Sequence, residues 1–359
     1  MSDVRYVCQS NLHLGAGKSI TGRVLLAVAL ITAIVGGGQR AHAESQPSGA
    51  QSCAPARAAQ PGTTERTLQQ GDLQRRYLVT IPARYNGRKP APVVLNLHGF
   101  SGNGEAQNAS TEMPQLAGRR GYVVVAPDGG PLKVPLGLVP GAENAGEFQG
   151  RPFWNLFGPG EVDFGPPRGS NLGVDSSLIG ADDVGFVAQL LDVLEQELCI
   201  DTHRVYAAGM SNGAGMAAML GCTLGNRLAA VAAVSGVNLT GKCPGRGSVS
   251  VLAVHGDADD TAVYNGNGLL GFQFGNPSVP ERMEQWAERD GCNAKPTTKK
   301  PRSGLTVSRW KGCAKGVDVQ LWTIAGWGHE WPRDGSASEP GVIDATKVAL
   351  DFFDAHRRG

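Results

Sequence analysis

A serine hydroxyl is a weak nucleophile near neutral pH; it becomes effective when a histidine takes its proton and a carboxylate orients that histidine. Ser211 sits in Gly209-Met210-Ser211-Asn212-Gly213, a Gly-x-Ser-x-Gly pentapeptide. With 51 glycines in 359 residues, the bare pattern would arise by chance roughly 0.4 times in this chain. Its flanks supply the specificity. Arg204 to Ala208 is a short β-branched and aromatic run, and Gly213 to Leu220 is small-residue-rich and helix-competent. Strand, tight turn and helix together make a nucleophile elbow, which presents Ser211 to a cleft.

The partners must lie downstream, in the order serine, acid, histidine, with the acid after a strand end and the histidine in a loop near the C-terminus. His255, His329 and His356 follow Ser211. His329 lies in a Gly-rich loop directly after a strand-like run and is the expected base, whereas His356 sits in a charged terminal helix and His255 at a strand end before the acid. The acid is expected just after Val249 to Val254, where Asp257, Asp259 and Asp260 compete and spacing does not choose among them. An oxyanion hole needs backbone N–H groups aimed at the developing charge. Asn212, next to the nucleophile, supplies one, and Phe100, after the strand-end residues Leu97-His98-Gly99, is the expected second. Trp154, Trp327 and Trp331 are candidate walls for an aromatic or alkyl acyl group, with core packing the competing reading.

These residues need a scaffold. Strand-like runs recur at 76–81, 92–97, 122–126, 204–208, 229–234, 249–254 and 317–324. Helical patterns fall at 105–119, 181–198, 212–224, 280–289 and 342–357, so the elements alternate as in an α/β protein. Runs such as Val93-Val94-Leu95 and Val123-Val124-Val125 are apolar on both faces, as expected of parallel strands sandwiched between helices. The fold class is therefore α/β, with a mostly parallel central sheet flanked by helices, and one catalytic domain is expected over 65–359. The Gly- and Pro-dense interval 129–177 breaks this rhythm and reads as a long loop that either serves function, as a lid or substrate wall, or is disordered.

Lys18 and Arg23 precede the apolar run Val24 to Val35, and Ala41-His42-Ala43 follows, so 1–43 reads as a secretory signal peptide. Residues 44–64 are poor in apolar side chains and read as a flexible leader. Cleavage leaves six cysteines, an even number that fits disulfides in an oxidising compartment. Cys292 and Cys313 flank a Lys-rich, hairpin-like excursion and are the first expected pair. Cys222 with Cys243 is the second, leaving Cys53 with Cys199. The net charge of +1 offers no footprint for nucleic acid or an anionic membrane. A secreted monomer without a membrane anchor, acting on a small or oligomeric substrate without metal or organic cofactor, is expected.

Leu97-His98-Gly99, Gly209-Met210-Ser211-Asn212-Gly213, His255-Gly256-x-x-Asp259-Asp260 and Gly328-His329-x-Trp331-Pro332 occur in this order. With them the chain resembles the secreted polyhydroxybutyrate depolymerase and feruloyl esterase family of α/β-hydrolases, over about Arg75 to His356. The resemblance implies the α/β-hydrolase fold, selects Asp259 as the acid, and implies ester hydrolysis on hydroxyalkanoates or on feruloyl and acetyl groups of polysaccharides. The family more often has Gly-Gly-Gly-His-Thr-Trp-Pro where this chain carries Trp327 and Glu330 beside His329. Rival expectations are a peptidase or acyltransferase on the same scaffold, or an exported binding protein that keeps the fold without the chemistry.

Overall fold

The computed structural model describes residues 52–133, 149–156, 161–162, 174–175, 177, 179–240, 243, 247–266, 276–314, 316–333 and 343–359. All of them belong to one compact unit, Ser48–Gly359. The expected signal peptide lies outside the described residues, as does most of the 129–177 excursion.

The strands in chain order are β1 (Gly62–Gln70), β2 (Leu73–Ile81), β3 (Ala91–Leu97), β4 (Val123–Pro127), β5 (Gly130–Pro131), β6 (Pro152–Phe153), β7 (Glu161–Val162), β8 (Val174–Asp175), β9 (Ile200–Met210), β10 (Ala230–Val234), β11 (Ser250–Gly256), β12 (Thr297–Arg302), β13 (Leu305–Trp310) and β14 (Val319–Ile324). The helices are α1 (Gly104–Thr111), α2 (Met113–Arg119), α3 (Asp183–Glu197), α4 (Asn212–Thr223), α5 (Val279–Arg289) and α6 (Ala345–Asp354). Ten strands form one sheet in the order β1-β2-β4-β3-β9-β10-β11-β14-β13-β12. Its centre, β4 through β14, is parallel, and antiparallel pairs close both edges.

The apolar runs work as expected of two-sided strands. Leu95, Ala207, Val231 and Val251 pack with α3, α4 and α5, while their neighbours Val94, Tyr206, Ala232 and Leu252 pack with α2 and α6. Residues 212–222 of α4 are all buried, so this helix is apolar around its circumference rather than along one stripe. The predicted helix 105–119 is two helices, because Glu112 adopts φ 50° and ends α1 before Pro114 opens α2.

One region differs from expectation. The segment read as a flexible leader is anchored from Cys53 onward: Cys53 is bonded to Cys199, Arg57 donates to the carbonyls of Glu195 and Leu198, and β1 begins at Gly62. Its few apolar residues hid a strand held by backbone pairing and a covalent tie. The Lys-rich excursion between Cys292 and Cys313 is the expected hairpin, β12–β13, and it extends the sheet by two strands. Cys292–Cys313 and Cys222–Cys243 complete the pairing, and three disulfides fit an oxidising compartment.

Candidate active site

Parallel α/β sheets bind ligands beyond the carboxyl ends of their strands, and the site residues gather there. Ser211 follows the last residue of β9 and adopts φ 55°, ψ −121°, a conformation an L-residue holds only when its surroundings over-determine it. The surroundings do so. Ser211 N–H donates to the Val234 carbonyl at 2.9 Å, and its own carbonyl accepts from Gly215 N at 3.0 Å. A Cβ on Gly209 would overlap the carbonyl of Gly213, and one on Gly213 would overlap the carbonyls of Leu97 and His98. Glycine is thus required where the elbow presses on its neighbours.

Asp259 lies three residues beyond β11 and His329 five beyond β14. His329 Nδ1 is 2.8 Å from Asp259 Oδ2 and 3.0 Å from Oδ1. The Asp259 side chain is fully buried, and its Oδ1 also accepts from Thr261 N (3.0 Å) and Ala262 N (2.8 Å). Burial alone would push this carboxyl up. The hydrogen bonds from His255 and His329 outweigh it and hold the group well below the usual carboxylate range. Asp257 is exposed and accepts from Gly326 N (2.7 Å), at the start of the histidine loop, while Asp260 is exposed and bonded to Thr261. Of the three competing aspartates, only Asp259 touches His329.

His255 was legible as a strand-end histidine; its second role was not. Its buried Nε2 donates to the Ala262 carbonyl (2.8 Å) and lies 3.2 Å from Asp259 Oδ2, so one carboxylate is gripped by two imidazoles. The i, i+4 spacing His255-Gly-Asp-Ala-Asp259 is the signal that could have found it. Ser211 Oγ and His329 share no hydrogen bond in this structure. Such contacts commonly tighten only when substrate is bound.

The loop meant to supply the second oxyanion donor abuts the nucleophile: a Cβ on Gly99 would stand 3.6 Å from both Ser211 Cβ and the Met210 carbonyl. His98 braces that loop from behind. Its Nδ1–H donates to the Gly99 carbonyl (2.7 Å) and its Nε2 accepts from Gly129 N (2.8 Å). That tautomer is neutral, and burial lowers the pKa of the ring.

Trp154 has no exposed surface, so it is not an open wall of the site. Its indole N–H donates to the His98 carbonyl at 2.9 Å, and its backbone N–H and C=O are both bonded to the Asn212 side chain, at 2.7 and 3.0 Å. Trp154 thus clamps the two backbone segments expected to form the oxyanion hole. Trp327 and Trp331 are likewise buried, at 4% and 6% exposure, because they anchor the histidine loop. Ala258 N donates to the Trp327 carbonyl, and the Trp331 indole donates to Thr346 Oγ1 on α6.

A buried ion pair sets the Trp154 segment. Arg75 reaches Asp183 Oδ1 at 2.5 Å, and Asp183 Oδ2 accepts from Asn155 N at 2.7 Å. Arg75 also stacks on Phe186, 4.0 Å from the ring centroid. Among the described residues, no group of three or more His, Cys, Asp or Glu is placed to share a metal ion, and no helix is long and apolar enough to cross a membrane.

The parallel sheet, with Ser211 after β9, Asp259 after β11 and His329 after β14, has the α/β-hydrolase fold. An acetyl xylan esterase from Aspergillus awamori shares this fold, with a TM-score of 0.52 at 13% identity, covering 81% of this chain and 99% of its own. Residues 172–268 match the esterase family described as PHB depolymerase. Feruloyl esterase B of Piromyces equi is 29% identical over 265 residues, 71% of this chain and 42% of its own length. Feruloyl esterase D of Neurospora crassa is 31% identical over 191 residues, 52% of this chain and 59% of its own length. The chain is thus similar to PHB depolymerase-type esterases over residues 172–268 and to feruloyl esterases over a longer stretch. It spans about two-fifths to three-fifths of the length of these two relatives.

Proposed function

We propose that the protein is an exported serine esterase that cleaves carboxylic esters through an acyl-enzyme. The observation that carries this reading is the buried Asp259 carboxylate holding His329 Nδ1 at 2.8 Å. With the proton fixed on Nδ1, the Nε2 lone pair is left to take the proton of Ser211. Ser211 Oγ then attacks the acyl carbonyl, and the backbone N–H groups of Phe100 and Asn212 stabilise the oxyanion. His329 returns its proton to the leaving alcohol, and water repeats the sequence to release the acid. The names of the similar proteins favour feruloyl or acetyl esters on polysaccharides over hydroxyalkanoate oligomers. The disulfides support export.

Purified protein is to be assayed on methyl ferulate, acetylated xylan, hydroxybutyrate oligomers and short nitrophenyl esters, alongside amide and acyl-acceptor panels. Ser211→Ala should lower ester turnover by about a million-fold if the triad acts as a unit. Retained turnover, or a folded protein whose Ser211 resists a fluorophosphonate probe, would overturn the mechanism.

A further inference from the structure

The charge balance of the whole chain conceals one lopsided segment. Residues 291–317 hold Lys295, Lys299, Lys300, Arg302, Arg309, Lys311 and Lys315 and no acidic residue, although Lys plus Arg (33) nearly equals Asp plus Glu (32) over the chain. The fold makes this segment the outermost hairpin of the sheet. All six residues of β12, Thr297–Arg302, are exposed, and β12 pairs only with β13. Cys292–Cys313 pins the base of the hairpin. Arg309 is held by Asp318 at 2.8 Å. Lys295, Lys299, Lys300 and Lys311 make no ion pair among the described residues.

Lysine on an edge strand discourages aggregation, which accounts for one or two such residues. It does not account for the absence of any carboxylate across 27 residues. Position adds a second observation. Leu305 pairs with Ile324, and the Gly304 carbonyl accepts from Ala325 N at 2.8 Å, so the hairpin tip is bonded to the loop that carries His329. The cationic strand therefore runs for about 20 Å and ends two strands, about 10 Å, from the strand that leads into that loop.

We propose that β12 is a docking rail for a linear polysaccharide bearing uronic acid carboxylates, which guides the chain toward the ester-cleaving site. This rests on the esterase reading above and narrows its substrate to esters on acidic polysaccharides. Exposed cations distributed along an edge hairpin suit a linear polyanion with spaced charges. The hairpin offers no exposed ring on which bases could stack, since Trp310 is buried, and no exposed large apolar residue to enter a bilayer, since Leu305 is buried too.

The test compares the wild type with Lys299→Glu/Lys300→Glu, two exposed residues outside the catalytic machinery. Retardation in gels containing polygalacturonate should be clear for the wild type. It should weaken roughly tenfold in the variant and fall steeply between about 0.05 and about 0.5 M salt. Melting temperature and turnover of a short nitrophenyl ester should match in the two proteins. Equal retardation of both proteins, none of either, or stronger wild-type binding to single-stranded DNA or phosphatidylglycerol vesicles than to polygalacturonate overturns the docking rail. Loss of nitrophenyl turnover in the wild type would instead overturn the esterase reading, because polygalacturonate binding is measured without cleavage.

Discussion

His255→Phe separates a positioning role from a packing one. Phenylalanine preserves the ring that meets Tyr264 edge-on at 5.8 Å but removes the Nε2–H shared by the Ala262 carbonyl and Asp259 Oδ2. A hydrogen bond to a charged group contributes about 1.5–3 kcal/mol, and an orphaned buried carbonyl costs about 1–3 kcal/mol. Because one donor serves both acceptors, stability should fall by about 3 kcal/mol. Asp259 keeps its two backbone donors and His329, so the carboxylate survives with one restraint fewer. Turnover should then drop roughly tenfold, about 1.4 kcal/mol, far less than the ~10⁴-fold expected of Asp259→Asn. His255→Gln, which keeps an N–H at similar reach, should recover most of both the stability and the turnover. The assay is kcat and KM for nitrophenyl ester hydrolysis, run well below the melting temperature of each variant, with the loss expected in kcat. An unchanged kcat in folded His255→Phe would refute the reasoning, leaving His255 a core residue only.

Three further outcomes follow from the surrounding contacts. Asp183→Asn leaves the Arg75 guanidinium buried without its counter-charge, and should cost about 3–5 kcal/mol, lowering the melting temperature by about 10 °C in calorimetry. Trp154→Phe keeps the ring but strands the buried His98 carbonyl, so turnover should fall roughly tenfold, by loss of about 1–3 kcal/mol at the oxyanion loop, with KM little changed. Burial pushes Asp290 up to about 6, and Arg289 at 3.8 Å only partly opposes it. A raised carboxyl contributes its stability below the unfolded value of about 4 and loses it as pH rises through 6. Asp290→Asn should therefore stabilise the protein at pH ~8 by up to about 3 kcal/mol and give no gain near pH ~4, read from melting temperatures at the two values.

Both the central sheet and the elbow were legible because they depend on local composition. A buried parallel strand must be apolar on both faces, and a strand-to-helix reversal this tight must place glycine two residues either side of the serine. The edge strand β1 was not legible for the opposite reason. With exposed Thr63, Thr64 and Glu65, it buries almost nothing. Its stability comes from pairing with β2 and from the nearby Cys53–Cys199 disulfide, neither of which leaves a hydrophobic period. β12 also buries nothing, and only the flanking cysteines and the polar, Lys-rich composition marked it as part of a hairpin.

The acid illustrates where residue pattern stops and tertiary packing begins. Asp257, Asp259 and Asp260 lie in one turn, and spacing left all three open until family resemblance selected Asp259. Their difference is physical: the turn aims two backbone N–H groups and two imidazoles at Asp259, while Asp257 ties the histidine loop at Gly326 and Asp260 faces water. Trp154 shows the same limit in reverse. In sequence it is an aromatic residue within a Gly- and Pro-rich excursion, equally suited to an acyl pocket or to the core. Only the bonds of Asp183 to Asn155, of Asn212 to Trp154 and of the Trp154 indole to the His98 carbonyl make that side chain a buried clamp between α4 and the segment after β3. The acyl pocket must therefore be sought on surfaces other than these three indoles. Substitutions that narrow or widen the protein's choice of acyl group should fall outside Trp154, Trp327 and Trp331, whose replacement should instead lower turnover on every ester alike.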